Sequence, residues 1–159
     1  MKKLEILVGP IASGKSTYCS EAAKQGAIIV NDDAIVTATH GGHYTFNPEL
    51  KLLYKSVENL LIQVGLIYNL RVVIDRPNYS RAMRRRYIGL GKSFDAPVEI
   101  VMMPREDPVI HALRRYESDA RGLSYADWTE VANRHESLYE EPCQGIEGFD
   151  TLRHWSIND

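Results

Sequence analysis

With 159 residues, the chain has room for one compact domain and not for two of ordinary size. Hydrophobic residues at 44% and charged residues at 25% describe a folded globular protein and exclude a disordered one. Lys and Arg total 19 against 21 Asp and Glu, a formal net charge of -2, so any basic binding site has to be local.

No apolar run reaches the ~18 residues of a membrane span. The start, Met1-Lys2-Lys3-Leu4-Glu5, puts a glutamate where a signal peptide needs apolar residues. Cys19 and Cys143 lack metal-ligand spacing. A cytoplasmic, reduced protein without a disulfide is the expectation, with no membrane partner.

Short apolar runs alternate with longer helical patterns, which predicts a parallel α/β sheet. Leu4 to Val8 reads as a buried strand ended by Gly9-Pro10, and a helix from about Lys15 to Lys24 is stopped by Gly26. Ala27 to Val30 is a second strand, with Asn31-Asp32-Asp33 at its C-terminal end. His40-Gly41-Gly42-His43 has the composition of a flexible loop. Asn47 reads as an N-cap with Pro48 at the first helical position. The helix they open carries apolar residues at Leu50, Leu53, Val57, Leu60, Leu61 and Val64, spaced by three and four.

Arg71 to Ile74 makes a third strand and delivers Asp75 at its end; Ser80 caps a helix to about Leu90. Pro97 to Met102 is a fourth strand. Asp107-Pro108 starts a helix running to near Ala120, with Val109, Leu113, Tyr116 and Ala120 facing inward. Ser124 with Asp127 resembles a capping box for a last helix through Leu138. Thr151 to Ile157 fits a fifth strand or a short packed tail equally well.

Gly9-Pro10-Ile11-Ala12-Ser13-Gly14-Lys15-Ser16 matches G-x-x-x-x-G-K-[ST] without a mismatch, between a strand and a helix. Its backbone N–H groups and the helix N-terminus form an anion cradle, and glycine at 9 and 14 lets the chain approach phosphates closely. The residues expected to hold the nucleotide are Gly9, Ile11, Ala12, Ser13, Gly14, Lys15, Ser16 and Thr17. Lys15 would reach the β- and γ-phosphates of ATP, and the Ser16 hydroxyl would take one Mg²⁺ position. The fold class that follows is a three-layer α/β/α P-loop NTPase with a mostly parallel four- to five-stranded sheet. A single domain spans 1–159, with a helical lid at roughly 107–138.

No Asn-Lys-x-Asp run occurs, so a guanine-reading switch lacks its base signature. The third strand ends Ile74-Asp75-Arg76, leaving no glutamate to activate water. Asp32 and Asp33 end the second strand, and parallel sheets open their strand C-termini onto one crevice. One of the pair is expected to accept the proton of an attacking hydroxyl, the other to cap a helix.

Gly-x-x-x-x-Gly-Lys-Ser-Thr, the Asp32-Asp33 pair and Asp75-x-x-Asn78 resemble the phage-type 5′-polynucleotide kinase domain. The wider class of AAA-type small P-loop kinases also contains the zeta-type toxins. The likeness covers residues 1 to 140 in layout. It implies ATP-dependent transfer to a hydroxyl, with Asp32 as general base, Lys15 and Ser16 as phosphate and metal ligands, and Asp75 and Asn78 near the acceptor. Two departures fall on the acceptor side. Ile35 stands where the family carries an arginine for the acceptor's phosphate, and Asp75-Arg76-Pro77-Asn78 is one residue longer than the usual motif.

From Arg76 to Lys92 the chain holds six basic residues and no acid. Met83, Tyr87 and Leu90 make a core stripe, so Arg81, Arg84 and Arg85 share a solvent-facing side suited to a phosphate backbone, while Arg86 snorkels beside the stripe. Arg81 and Arg85 are the expected acceptor contacts. Glu136, Glu140, Glu141, Glu147 and Asp150 form an acidic tail expected to face away from nucleic acid.

In the lid, Arg114 and Arg121 share a face and would clamp the transferring phosphoryl group, Gly122 giving the segment freedom to swing. Arg115 and Asp119 read as a helix salt bridge. His40 and His43 lack a third metal ligand; Tyr44 and Phe46 either stack on an acceptor base or pack the loop. Trp128 and Trp155 are expected to pack rather than bind. The reading is a kinase acting on a nucleic-acid or nucleoside hydroxyl. Alternatives are 5-hydroxymethyluracil in phage DNA, a small metabolite, or an ATP-binding module without catalysis.

Overall fold

The structure is a computed structural model that describes residues 1–157. Five strands, β1 (Lys3–Val8), β2 (Ile28–Val30), β3 (Arg71–Ile74), β4 (Val98–Met102) and β5 (Thr151–His154), form one sheet in the order β2-β3-β1-β4-β5. Every pairing is parallel, with Leu4 opposite both Val72 and Val98. All strand C-termini therefore open on one edge. Thr151 to His154 is a strand rather than a loose tail, because its register against Glu99 to Met102 completes the ladder. Among the described residues no helix is long and apolar enough to cross a membrane.

The helices are α1 (Lys15–Lys24), α2 (Asp32–Thr39), α3 (Lys51–Ile67), α4 (Arg81–Ser93), α5 (Pro108–Ser118), α6 (Tyr125–Ser137) and α7 (Gln144–Glu147). Side chains alternate across a strand, so β1 sends Leu4, Ile6 and Val8 to a core shared with Ile62, Leu66, Tyr87 and Ile88. Leu7 points the other way, to Tyr18, Cys19 and Ala22 of α1. Each fully buried aliphatic chain contributes about 1.5–3 kcal/mol. Glu5 shares that second face and is buried; Arg71 Nη2 at 2.9 Å and Lys3 Nζ at 3.0 Å neutralise it.

Caps fall where the side chains foretell them. Asn47, Ser80, Asp107 and Ser124 each accept a backbone N–H in the first turn of their helix, although Pro48–Leu50 is a 3-10 turn and α3 proper begins at Lys51. The helix expected at the Asp32-Asp33 pair is α2, and its cap is Asn31, accepting from Ala34 N at 2.9 Å. Neither aspartate of the pair caps it.

Three stripes depart from the pattern. The sheet takes Tyr54, Glu58, Ile62, Gly65 and Leu66 of α3, while Leu53, Leu60, Leu61 and Val64 stay exposed. Gly65 decides this, since its missing Cβ lets α3 approach Val72 at a distance where a methyl would stand 2.7 Å from Val72 Cγ2. In α5, Val109, Leu113 and Tyr116 are exposed, and His111 and Ala112 are the buried pair. In α4, Arg84 is the most buried large side chain, so Arg81, Arg84 and Arg85 do not form one solvent face.

The acidic tail explains that last exception. Arg84 grips the buried Glu147 through Nε at 2.7 Å and Nη2 at 2.9 Å, and also donates to the carbonyls of Asn78 and Glu140. Glu140 accepts the backbone N–H of Arg81. The tail thus folds onto α4.

Candidate active site

The Gly9 to Ser16 loop runs from β1 into α1 and lines a cleft of about 620 Å³ with Asn31, Asp32, Asp33, Asp75 and Arg76. Its conformation needs glycine at two points. A Cβ on Gly9 would lie 2.5 Å from Met103 Cβ; one on Gly14, whose φ is 98°, would lie 2.7 Å from the Trp155 ring. These packing limits come from the protein itself, with β5 setting Trp155 behind the loop. Ala12 also takes a left-handed φ of 51°. Of the eight expected nucleotide residues, Gly9 lies buried beneath the cradle and Thr17 faces solvent on α1; the other six line the cleft.

Lys15 Nζ donates to Gly9 O at 3.0 Å and to Pro10 O. Burial pushes its pKa down to about 8, partly offset by Asp75. Asp75 accepts from Asn31 Nδ2 at 2.9 Å and faces this cleft. It lines this cleft and not the second one described below. Among the described residues no three His, Cys, Asp or Glu side chains gather into a metal cage. The Ser16 hydroxyl and the Asp75 carboxylate are hard oxygen donors on one cleft, a set that suits Mg²⁺ shared with phosphates and water.

Asp32 begins α2 and pairs with Arg76 Nη2 at 3.1 Å. Burial raises its pKa, an effect Arg76 partly offsets. Arg76 is held in turn by Glu58 at 3.5 Å and Tyr87 OH at 3.3 Å, and Glu58 takes Arg86 at 2.8 Å. The extra residue of the Asp75 motif is thus the guanidinium that fixes Asp32. Nothing in the spacing pointed to it, and a lone Glu58 inside an apolar helix was the readable sign of its counter-ion.

A second cleft, about 420 Å³, shares Asp32, Asp33 and Arg76 with the first. Tyr44, Phe46 and Tyr54 supply aromatic surface, Lys51 and Lys55 charge, and Ile35 part of the floor. Tyr54 OH binds His40 Nε2 at 2.8 Å and the Phe46 ring lies 5.8 Å from that of Tyr54, so the glycine-rich loop is packed as well as cleft-lining. Lys51 and Lys55 pair with no acid among the described residues.

Other expected acceptor contacts do not reach this cleft. Asn78 is wholly buried and donates to Leu7 O at 2.7 Å, tying the end of β1 to the loop after β3. Arg81 and Arg85 line neither cleft.

Helices α5 and α6 pack on each other through Ala112, Trp128 and Ala132, against Ile11 of the loop. Arg121 pairs with Asp33 and lies 4.7 Å above the Tyr44 ring; Arg114 pairs with Glu106. Both arginines line the phosphate cleft, as do Arg115 and Arg134, which the sequence reading did not select. Arg115 stacks 4.9 Å from Trp128 instead of bridging to Asp119, which caps α5 and accepts from Arg121 N and Leu123 N.

Solved structures share this architecture. The chain is similar to Kti12 of Chaetomium thermophilum, described in complex with ADP-AlF3, at TM-score 0.63 and 16% identity over 98% of this chain and 90% of that one. It is similar to a chain of the Pnkp1/Rnl/Hen1 RNA repair complex at TM-score 0.68 and 20% identity, covering 94% of this chain but 46% of that one. A gluconokinase from Sinorhizobium meliloti 1021 aligns at TM-score 0.59 and 14% identity, over 96% and 81% of the two chains. No curated protein matches the sequence. The AAA domain model AAA_33 matches residues 4–115, from β1 into α5, and the chain belongs to that AAA-domain family.

Proposed function

We propose that the chain is an ATP-dependent phosphotransferase that moves the γ-phosphoryl group to the 5′-hydroxyl of a nucleic acid. The observation that carries this reading is the position of Asp32 in the wall shared by the phosphate cleft and the aromatic cleft. An acceptor hydroxyl in the second cleft would give its proton to Asp32 while its oxygen bonds to phosphorus. The bond from phosphorus to the β-phosphate oxygen breaks in the same displacement, and ADP leaves.

Arg76 keeps the carboxylate aimed and ionised. The loop amides and Lys15 would hold the β,γ-phosphates, and Arg121 with Arg114 would meet the charge spreading over the transferring group. Mg²⁺, bound at Ser16 and Asp75, would neutralise phosphate charge. Water-activating glutamate is missing after Asp75, which favours an alcohol acceptor over hydrolysis.

Aromatic surface and two unpaired lysines in the acceptor cleft suit a nucleotide, with a base to stack and a phosphate to grip. They stand in for the arginine that Ile35 replaces. A mononucleotide or nucleoside acceptor is the second reading, favoured by the modest 420 Å³ of that cleft.

The test is transfer from γ-labelled ATP to a panel of 5′-hydroxyl DNA and RNA, hydroxymethylated duplex, free nucleosides, gluconate and shikimate. Labelling of a polynucleotide 5′-end, reduced at least tenfold in Lys51→Ala/Lys55→Ala, is the expected outcome. Labelling of only a sugar acid would contradict the nucleic-acid assignment.

A further inference from the structure

His135, in the last turn of α6, is a buried titratable group that the phosphotransfer reading leaves unused. Trp128, Ala132 and His135 are the buried residues of that helix, spaced four and three apart and so on one face. The first two pack against Ile11 of the phosphate loop, and His135 continues that face into the phosphate cleft, which it lines at 8% exposure. The Tyr79 ring packs on the imidazole, with centroids 5.0 Å apart.

Neither ring nitrogen is used by the protein. Nδ1 is sealed from solvent and has no hydrogen-bond partner among the described residues. Nε2 has none either but is not sealed, which leaves it as the nitrogen open to the cleft. An imidazole taken out of water with both nitrogens idle costs free energy that a leucine in its place would not. Buried polar groups are nearly always partnered, so this one points to a partner that arrives with a ligand. The surroundings define the ligand's charge: Lys15 and five arginines line the cleft against three aspartates.

The seal also sets the tautomer. A buried N–H without an acceptor is a rarer defect than a lone pair left unmatched, so Nδ1 keeps the lone pair and Nε2 carries the hydrogen. Burial, helped by Lys15 and Arg134, pushes the pKa of the ring down to about 4, and near neutral pH the imidazole is uncharged.

We propose that His135 is a phosphate-binding residue of this cleft, its Nε2–H donating to a phosphate oxygen of the nucleotide held by the Gly9 to Ser16 loop. A neutral donor adds a directional contact without a seventh positive charge to repel the other six. The inference rests on the assignment of this cleft to a nucleotide and is independent of the acceptor.

Long-range proton–nitrogen NMR of the full chain, labelled with ¹⁵N-histidine, tests it, the His135 signals being those lost in His135→Gln. The Nε2–H tautomer is expected, and β,γ-imido-ATP with Mg²⁺ should shift its Nε2 resonance. By calorimetry, His135→Leu should bind the same analogue at least about tenfold more weakly than the parent. His135→Gln, whose amide can donate from a similar position, should recover most of that loss. Should the leucine variant fail to fold, the tautomer and the shift in the parent decide the matter. Unchanged affinity in a folded His135→Leu, an Nδ1–H tautomer, or a His135 resonance indifferent to the analogue would each overturn the inference and leave the nucleotide assignment standing. A parent that binds no nucleotide would overturn both.

Discussion

Lys15 holds its proton less firmly than an ordinary lysine because the loop carbonyls and packed side chains around it replace water. A triphosphate in the cradle would reverse this, since a nearby anion favours the ammonium. ATP binding should then draw a proton from solvent between pH about 8 and the ordinary lysine value of 10.5, and none at pH 7, where Lys15 is already charged. Calorimetry at pH 9 in buffers of different ionisation enthalpy measures that uptake, and Lys15→Met should abolish it. Asp32 presents the opposite sign. Burial raises its pKa, so the rate is lost as pH falls through a value above the usual carboxylate range. Removing the offsetting charge in Arg76→Gln should move this acid limb upward in the pH–rate profile and lower kcat about tenfold or more. A limb that stays in place would separate Arg76 from the function of Asp32.

Among the elements, α4 and α7 depend on one ion pair. Arg84 and Glu147 are both buried, and each satisfies the other at two atoms. Arg84→Ala strands a carboxylate and should cost about 3–5 kcal/mol in urea unfolding, whereas Arg84→Met/Glu147→Leu should recover most of it. Additive losses in the double variant would show that the pair does not act as a unit. This contact also marks where sequence reading stopped. Periodicity identified α4 and its Ser80 cap, because both are local properties. It could not see that Glu147, 63 residues on, would pull Arg84 into the interior. The same limit displaced the stripes of α3, where only Leu50 and Val57 of the expected set reach the core, and of α5: each carries apolar residues on more than one side, and only tertiary contacts such as Gly65 against Val72 select the buried one.

At the scale of the molecule, an all-parallel sheet places the ends of β1, β2 and β3 on one edge, so the phosphate loop, Asp32 and Asp75 meet there. That convergence was legible from the parallel βα alternation and the motif alone, since Gly14-Lys15-Ser16 and the strand-end acids are fixed by spacing. The acceptor half was not. Tyr54, Lys51, Lys55 and Glu58 come from α3, which carries no motif, and Arg76 gains its place only through the fold. The central claim is that Asp32 serves chemistry and not nucleotide binding. Measuring the ATP dissociation constant and the single-turnover transfer rate of Asp32→Asn side by side tests it most directly. The expected result is an affinity within about threefold of the parent with transfer slowed at least about 100-fold, the size of one well-placed catalytic contact; unchanged transfer, or a loss fully accounted for by weaker ATP binding, would contradict it.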